Sequence, residues 1–332
     1  MADLHQTFID FIDKIKLQPN DKKQLKRSKD TIRKDIKNYF KKKNSQYKVR
    51  FLGQGSYSMH TTIIPKDGDY DIDDGVYIFG NIDDKPTCQQ VHSWINNAVK
   101  NRTNQNNISK NTCIRVQYAN NYHIDLPIYY KIDGEDDKVK LDDKDIPKFA
   151  HKKDGWIDSD PYAFRLWFEE KSKDKPQLKR IVRYLKAWSD NKSSLNLPSG
   201  MVFTILASEN YMSDERDDVA LLKTLERIQK SIDDSRSKRA KYTCFRPTVD
   251  KTENLLEKYS SKTTKENFLT ALNNFINSGE KAINLRGKKD ACAKWQKHLG
   301  DRFPCSSIKE NDSDIAKEFA IADSIKTENK SA

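Results

Sequence analysis

The chain has 332 residues, of which 36% are hydrophobic and 10% aromatic, enough to build a core and against a disordered polymer. Its 61 lysines and arginines outweigh 49 acids and leave a net charge of +12, which suits an anionic partner (nucleoside triphosphates, nucleic acid or an acidic surface) or a lysine-rich solvated exterior. No apolar run reaches membrane-spanning length and the acidic, amphipathic start is no signal peptide, so the expected location is cytoplasmic, with no membrane partner.

Residues 4–15 place Leu4, Phe8, Phe11, Ile12 and Ile15 at helical spacing. Pro19-Asn20-Asp21 breaks that helix and caps the next, over residues 21–43, which buries Leu25, Ile32, Ile36 and Phe40. Its lysines read as a solvated face or as a contact for a nucleic-acid backbone. Residues 47–52 form a strand that breaks at Gly53-Gln54-Gly55-Ser56, and residues 71–79 form a second. Side chains in a strand alternate, so Asp71 and Asp73 share a face and Ile72 takes the other. Two carboxylates that close repel each other, and a divalent cation removes the repulsion; hard oxygen ligands suit Mg²⁺ or Mn²⁺. The Gly55-Ser56 turn offers backbone N–H groups and a hydroxyl to phosphate oxygens. Asp69-Tyr70-Asp71 is a competing Asp-x-Asp, but Val76-Tyr77-Ile78 continues the strand beyond Asp73 and favours the Asp71 and Asp73 register.

A helix follows over residues 86–101, then a hairpin of residues 112–118 and 122–130 about Asn120-Asn121. In His123-Ile124-Asp125-Leu126-Pro127, Asp125 stands opposite Ile124 and Leu126, an unusual place for a carboxylate. His123 shares its face, either as an aid to Asp125 or as a neutral surface histidine. Residues 133–147 are acidic, and their spacing lacks the EF-hand pattern, so they read as a solvated loop. Beyond Trp156 the chain reads as helical, with helices over residues 176–189, 201–211, 217–232, 264–278 and 288–299. In the first of these, Lys179, Arg183 and Lys186 form one basic face. From about Asn311 the chain is polar, and its end reads as disordered. The five cysteines, Cys88, Cys113, Cys244, Cys292 and Cys305, make no Cys-x-x-Cys and suggest reduced thiols rather than a disulfide framework or a zinc module.

Apolar strand, Gly-Ser turn, then Asp-Ile-Asp in a second strand resembles the signature of the DNA polymerase β-like nucleotidyltransferase superfamily. Gly55-Ser56-Tyr57-Ser58 with Asp71-Ile72-Asp73-Asp74-Gly75-Val76-Tyr77 is most similar to the bacterial cGAS/DncV-like nucleotidyltransferases of CBASS anti-phage systems. Asp74 departs from the superfamily pattern, where an apolar residue follows the second carboxylate. The cysteine spacing departs from animal cGAS, which carries a zinc-binding insertion. The resemblance implies an α+β fold of two lobes. Residues 1–155 would form a catalytic lobe with a mixed β-sheet and a long N-terminal spine helix, residues 156–310 a helical lobe, and residues 311–332 a polar, disordered tail. It implies Asp71, Asp73 and Asp125 as catalytic ligands of two Mg²⁺ or Mn²⁺ ions. It further implies Gly55, Ser56, Lys186 and Ser199 as contacts of the nucleotide phosphates, Ser199 at a helix N-terminus suited to anions. The implied activity is synthesis of a cyclic di- or trinucleotide second messenger from ATP or GTP, with cyclic di-GMP or cyclic GMP-AMP as the favoured product, read by a separate effector. Stable nucleic-acid binding is not required for that chemistry. A linear oligonucleotide synthase, a nucleotidyltransferase acting on RNA or protein, and a catalytically inert nucleic-acid-binding module stay open as alternatives.

Overall fold

The computed structural model describes residues 1–132, 146–237, 242–259 and 261–308. The acidic stretch 133–145 and the polar tail lie outside the described residues. The chain forms two compact units. One comprises Lys16–Asp174 with Phe245–Glu253; the other comprises Met1–Ile15, Lys175–Cys244 and the chain from Asn254. This division differs from a single cut at residue 155. The first helix, α1 (His5–Ile15), buries Phe8 and Phe11 against Tyr184, Trp295 and Phe303, so it belongs with the later helices.

In the first unit α2 (Pro19–Lys43) begins two residues before the expected start. Gln18 is the N-cap, its backbone N–H donating to Asp21 in a capping box, and Pro19 takes the first helical position, where its missing N–H costs nothing. The buried stripe of α2 is Leu25, Ile32, Ile36 and Phe40, as its spacing requires. It covers one face of a mixed sheet whose centre is β2 (Tyr70–Gly80).

β1 (Lys48–Gln54) runs antiparallel to β2 and ends in a short helical turn, α3 (Gly55–Ser58). α4 (Cys88–Val99) follows β2, and then β3 (Ile108–Ser109), β4 (Ile114–Tyr118) and β5 (Tyr122–Leu126). β5 lies parallel to the first half of β2; beyond Pro127, β6 (Ile128–Ile132) lies parallel to its second half. The kink at Pro127 keeps one ladder bond, from the Val76 N–H to the Pro127 carbonyl at 2.8 Å. β7 (Lys148–His151) and β8 (Gly155–Asp158) extend the sheet, so Trp156 lies within it rather than at its boundary. α5 (Pro161–Ser172) then packs against β1.

The second unit is helical: α1, α6 (Pro176–Asn191), α7 (Gly200–Asn210), α8 (Asp217–Ser237), α9 (Lys262–Asn284) and α10 (Lys288–Leu299). Its core is aromatic, with Trp188 against Phe203 and Phe275, and Phe275 against Trp295. The expectation of reduced thiols fails at one pair. Cys292 of α10 is bonded to Cys305, whose separation of 13 residues carries no recognisable motif; Cys88, Cys113 and Cys244 are free and buried. Among the described residues, no helix is long and apolar enough to cross a membrane.

Candidate active site

The alternation of β2 sorts its residues. Tyr70, Ile72, Asp74, Val76 and Ile78 face the core beneath α2, and Asp71 and Asp73 face the other way. β5 repeats the division: Ile124 is core, while His123 and Asp125 share the face of the two acids. The parallel register sets Asp71 opposite His123 and Asp73 opposite Asp125. β4 adds Arg115 opposite Asp125 and Gln117 opposite His123. Three adjacent strands thus carry a polar patch with Asp71, Asp73 and Asp125 together.

The three carboxylates differ in surroundings. Asp71 is exposed. Asp125 is 6% exposed and accepts two hydrogen bonds from Arg115, from Nε at 2.6 Å and from a terminal nitrogen at 2.8 Å; Lys110 stands 3.7 Å away. Burial alone would raise the Asp125 pKa, but the Arg115 guanidinium, then Lys110, holds it below the usual carboxylate range. Asp73 has no hydrogen-bond or ion-pair partner among the described residues. Burial, followed by repulsion from Asp71 and Asp125, pushes it up to about 7. An acid so placed is short of positive charge. A divalent cation fits the patch on that ground, and on the donor set that Asp71 and Asp125 offer.

Gly55 is tied to this acid. Its φ is +61°, where L side chains are strained, and a Cβ there would lie 2.2 Å from Asp73 Oδ2. The Gly-Ser turn and the carboxylate pair therefore meet directly. The Ser56 hydroxyl lies 3.0 Å from that of Thr62.

Two residues beside Asp73 had no role from sequence. Asp74 is fully buried on the core face, where Arg33 of α2 grips both its oxygens at 2.7 and 2.5 Å, and the guanidinium also covers the Phe51 ring. An acid replaces the usual apolar residue here because a cation 41 positions earlier meets it. Gly75 is needed because the buried Gln54 amide crosses it; a Cβ would fall 1.9 Å from Gln54 Nε2. Gln54 donates to the Tyr77 hydroxyl and accepts from that of Tyr129, both at 3.1 Å, and so anchors the end of β1 above the site.

His123 is not a surface histidine. It is 6% exposed because β4 covers its flank, and its Nδ1 lies 3.2 Å from an Asp69 oxygen. Asp69 itself is exposed.

Lys186 and Ser199 belong to the helical unit, where they are neighbours. Ser199 is the N-cap of α7 with its hydroxyl unused for capping, and a Cβ on Gly200 would come 3.1 Å from Lys186 Cε.

The family described as "Cyclic GMP-AMP synthase DncV-like, nucleotidyltransferase domain" matches residues 49–129, the stretch that carries this site. A cyclic GMP-AMP synthase of Escherichia albertii is 35% identical over 191 residues, 53% of this chain and 40% of that protein. The match therefore spans well under half the length of that relative. The Vibrio cholerae DncV cyclic AMP-GMP synthase, solved with the linear intermediate 5' pppA(3',5')pG, is similar in fold with a TM-score of 0.77 at 18% identity, covering 91% of this chain and 96% of that one. The same enzyme with nonhydrolyzable GTP gives 0.76 at 18% identity, covering 91% and 97%.

Proposed function

We propose that this chain, a member of the cGAS/DncV-like nucleotidyltransferases, joins nucleoside triphosphates into a cyclic dinucleotide in a divalent-cation-dependent reaction. The observation that carries the proposal is the register of β2 and β5, which sets three carboxylates on one face with Gly55 packed beneath Asp73. Asp71, Asp73 and Asp125 would hold two Mg²⁺ or Mn²⁺ ions. Those ions would lower the pKa of the attacking ribose hydroxyl and neutralise charge on the α-phosphate. Burial and the neighbouring acids push the Asp73 pKa up to about 7, so a cation at the patch would favour its ionised form. Gly55 and Ser56 would fix the terminal phosphates through backbone N–H groups and the Ser56 hydroxyl. Lys186 and Ser199 are the helical unit's proposed phosphate contacts. The chain itself supplies position and charge rather than covalent chemistry.

A purine product, with cyclic GMP-AMP foremost and cyclic di-GMP next, is supported by the curated relative's activity and by the GTP complexes of the V. cholerae enzyme. A separate effector in anti-phage defence, reading that product, follows from the CBASS resemblance.

The test is incubation of the purified protein with ATP, GTP, CTP and UTP plus Mg²⁺ or Mn²⁺, phosphatase treatment, and mass spectrometry of what survives. Asp71→Asn/Asp73→Asn is the control. A phosphatase-resistant cyclic purine dinucleotide, absent from the control, is expected. Linear oligomers trimmed by phosphatase would replace the cyclic reading with a linear one.

A further inference from the structure

His123 is a side chain of the polar patch that the nucleotidyl-transfer reading leaves unused. His123 stands opposite Asp71 across the parallel ladder and two residues before Asp125 on the same strand. It is 6% exposed, yet among the described residues its Nε2 has no hydrogen-bond partner. A buried polar atom without a partner is costly and calls for an occupant. A ring nitrogen of His123 and carboxylate oxygens of Asp71 and Asp125 all lie within 4.8 Å of one another. Nδ1 of this ring is 3.2 Å from an Asp69 oxygen.

That last contact sets the chemistry. A carboxylate on Nδ1 takes the ring proton there and leaves the Nε2 lone pair free to bind an ion. We propose that His123 is a nitrogen ligand of a divalent cation shared with Asp71 and Asp125, held in orientation by Asp69. The competing Asp69-Tyr70-Asp71 register is then explained: Asp69 supports the site through the imidazole rather than as an oxygen ligand. Imidazole suits first-row transition cations, whereas Mg²⁺ is served by carboxylate, carbonyl and water oxygens. One of the cation positions is therefore selective for Mn²⁺ over Mg²⁺. The inference rests on the carboxylate patch being the metal site.

Electron spin-echo spectroscopy of the full chain loaded with Mn²⁺ tests it without reference to turnover. An imidazole ¹⁴N coupling is expected, and His123→Gln should abolish it. Calorimetric titration should show Mn²⁺ affinity falling roughly 10- to 100-fold in that variant, with Mg²⁺ affinity changed less. Asp69→Asn should keep the nitrogen coupling and weaken Mn²⁺ about tenfold. Mn²⁺ bound with no nitrogen coupling would overturn the inference and leave the nucleotidyltransferase reading standing. An unchanged Mn²⁺-to-Mg²⁺ affinity ratio in His123→Gln would overturn it equally. No Mn²⁺ binding by the wild type would remove both. If His123→Gln fails to fold, the wild-type coupling and the Asp69→Asn titration decide.

Discussion

Each unit holds a cluster of acids, and the two clusters are finished differently. At the start of α8, Asp217 is fully buried and accepts from Arg180 at 2.6 and 2.8 Å, from Gln177 at 2.8 Å and from the Tyr184 hydroxyl at 2.8 Å. Beside it, Asp218 is gripped by Arg216, which also donates to the Ala2 carbonyl. Burial would raise the Asp217 pKa, but Arg180, then Gln177 and Tyr184, pull it below the usual range. In the sheet unit, Asp73 has none of this and sits near 7. The chain's own groups meet every demand of the helical cluster. On the sheet they meet Asp125, through Arg115, and Asp74, through Arg33, and leave Asp73 unmet. Buried acidity alone therefore does not distinguish the two clusters; whether the chain compensates it does.

The largest effects should separate the clusters by kind. On the proposed reading, Asp73→Asn removes an anion that the reaction uses. Losing it forfeits several kcal/mol of transition-state charge stabilisation, roughly a thousandfold in rate. Product formation should collapse while the urea midpoint of the metal-free protein holds or rises. Asp217→Asn should do the reverse in kind. It strands the Arg180 guanidinium, and breaking such a pair costs about 3–5 kcal/mol. Equilibrium urea unfolding should register that loss, with Mn²⁺ affinity of the folded fraction unchanged.

A sharper version of the contrast lies within two adjacent residues. Asp74 follows Asp73 in sequence but faces the other side of the sheet, onto Arg33. Arg33→Ala should leave that buried carboxylate unpaired and cost about 3 kcal/mol or more, again read by urea. Gly75→Ala is milder. The new Cβ displaces a Gln54 amide held by two tyrosine hydroxyls, and overpacking of this sort costs about 1–3 kcal/mol.

These neighbours also show what could be read in advance. The faces of Asp71, Asp73 and Asp125 follow from a period of two, and most of the expected helices follow from an apolar stripe, α7 instead from a continuous apolar run. Period alone does not say which strand lies alongside. His123 reads as exposed until β4 is known to cover it, and Arg115 acquires its place only from the β4–β5 register. Asp74 breaks the motif for a reason 41 residues away, and Gly75 for a side chain on another strand. The Cys292–Cys305 bridge is likewise a matter of tertiary placement. Local pattern gave the acids their side of the sheet; long-range pairing decided which of them were compensated.

The most gradual expected effect is a pH dependence, spread over several pH units, and its sign tests the comparison most directly. Asp73 titrates near 7 in the folded protein and near the ordinary 3.8 when unfolded. Between those values the folded state holds the extra proton. Stability contributed by this group must therefore fall as pH rises from about 4 to 7, by at most about 1.4 kcal/mol per pH unit. His298 of the helical unit acts in the opposite sense. Burial, then Lys192 and Lys297, lowers it from 6.5 to about 4, so its contribution is lost as pH falls through that window. Because the two overlap, the informative quantity is the difference in urea midpoint between wild type and Asp73→Asn, in chelator, from pH 5 to 8. That difference should grow with pH in favour of the variant, and saturating Mg²⁺ or Mn²⁺ should shrink it at pH 8. A flat difference would mean that Asp73 is already compensated by the chain, like Asp217, and the distinction between the two clusters would fail.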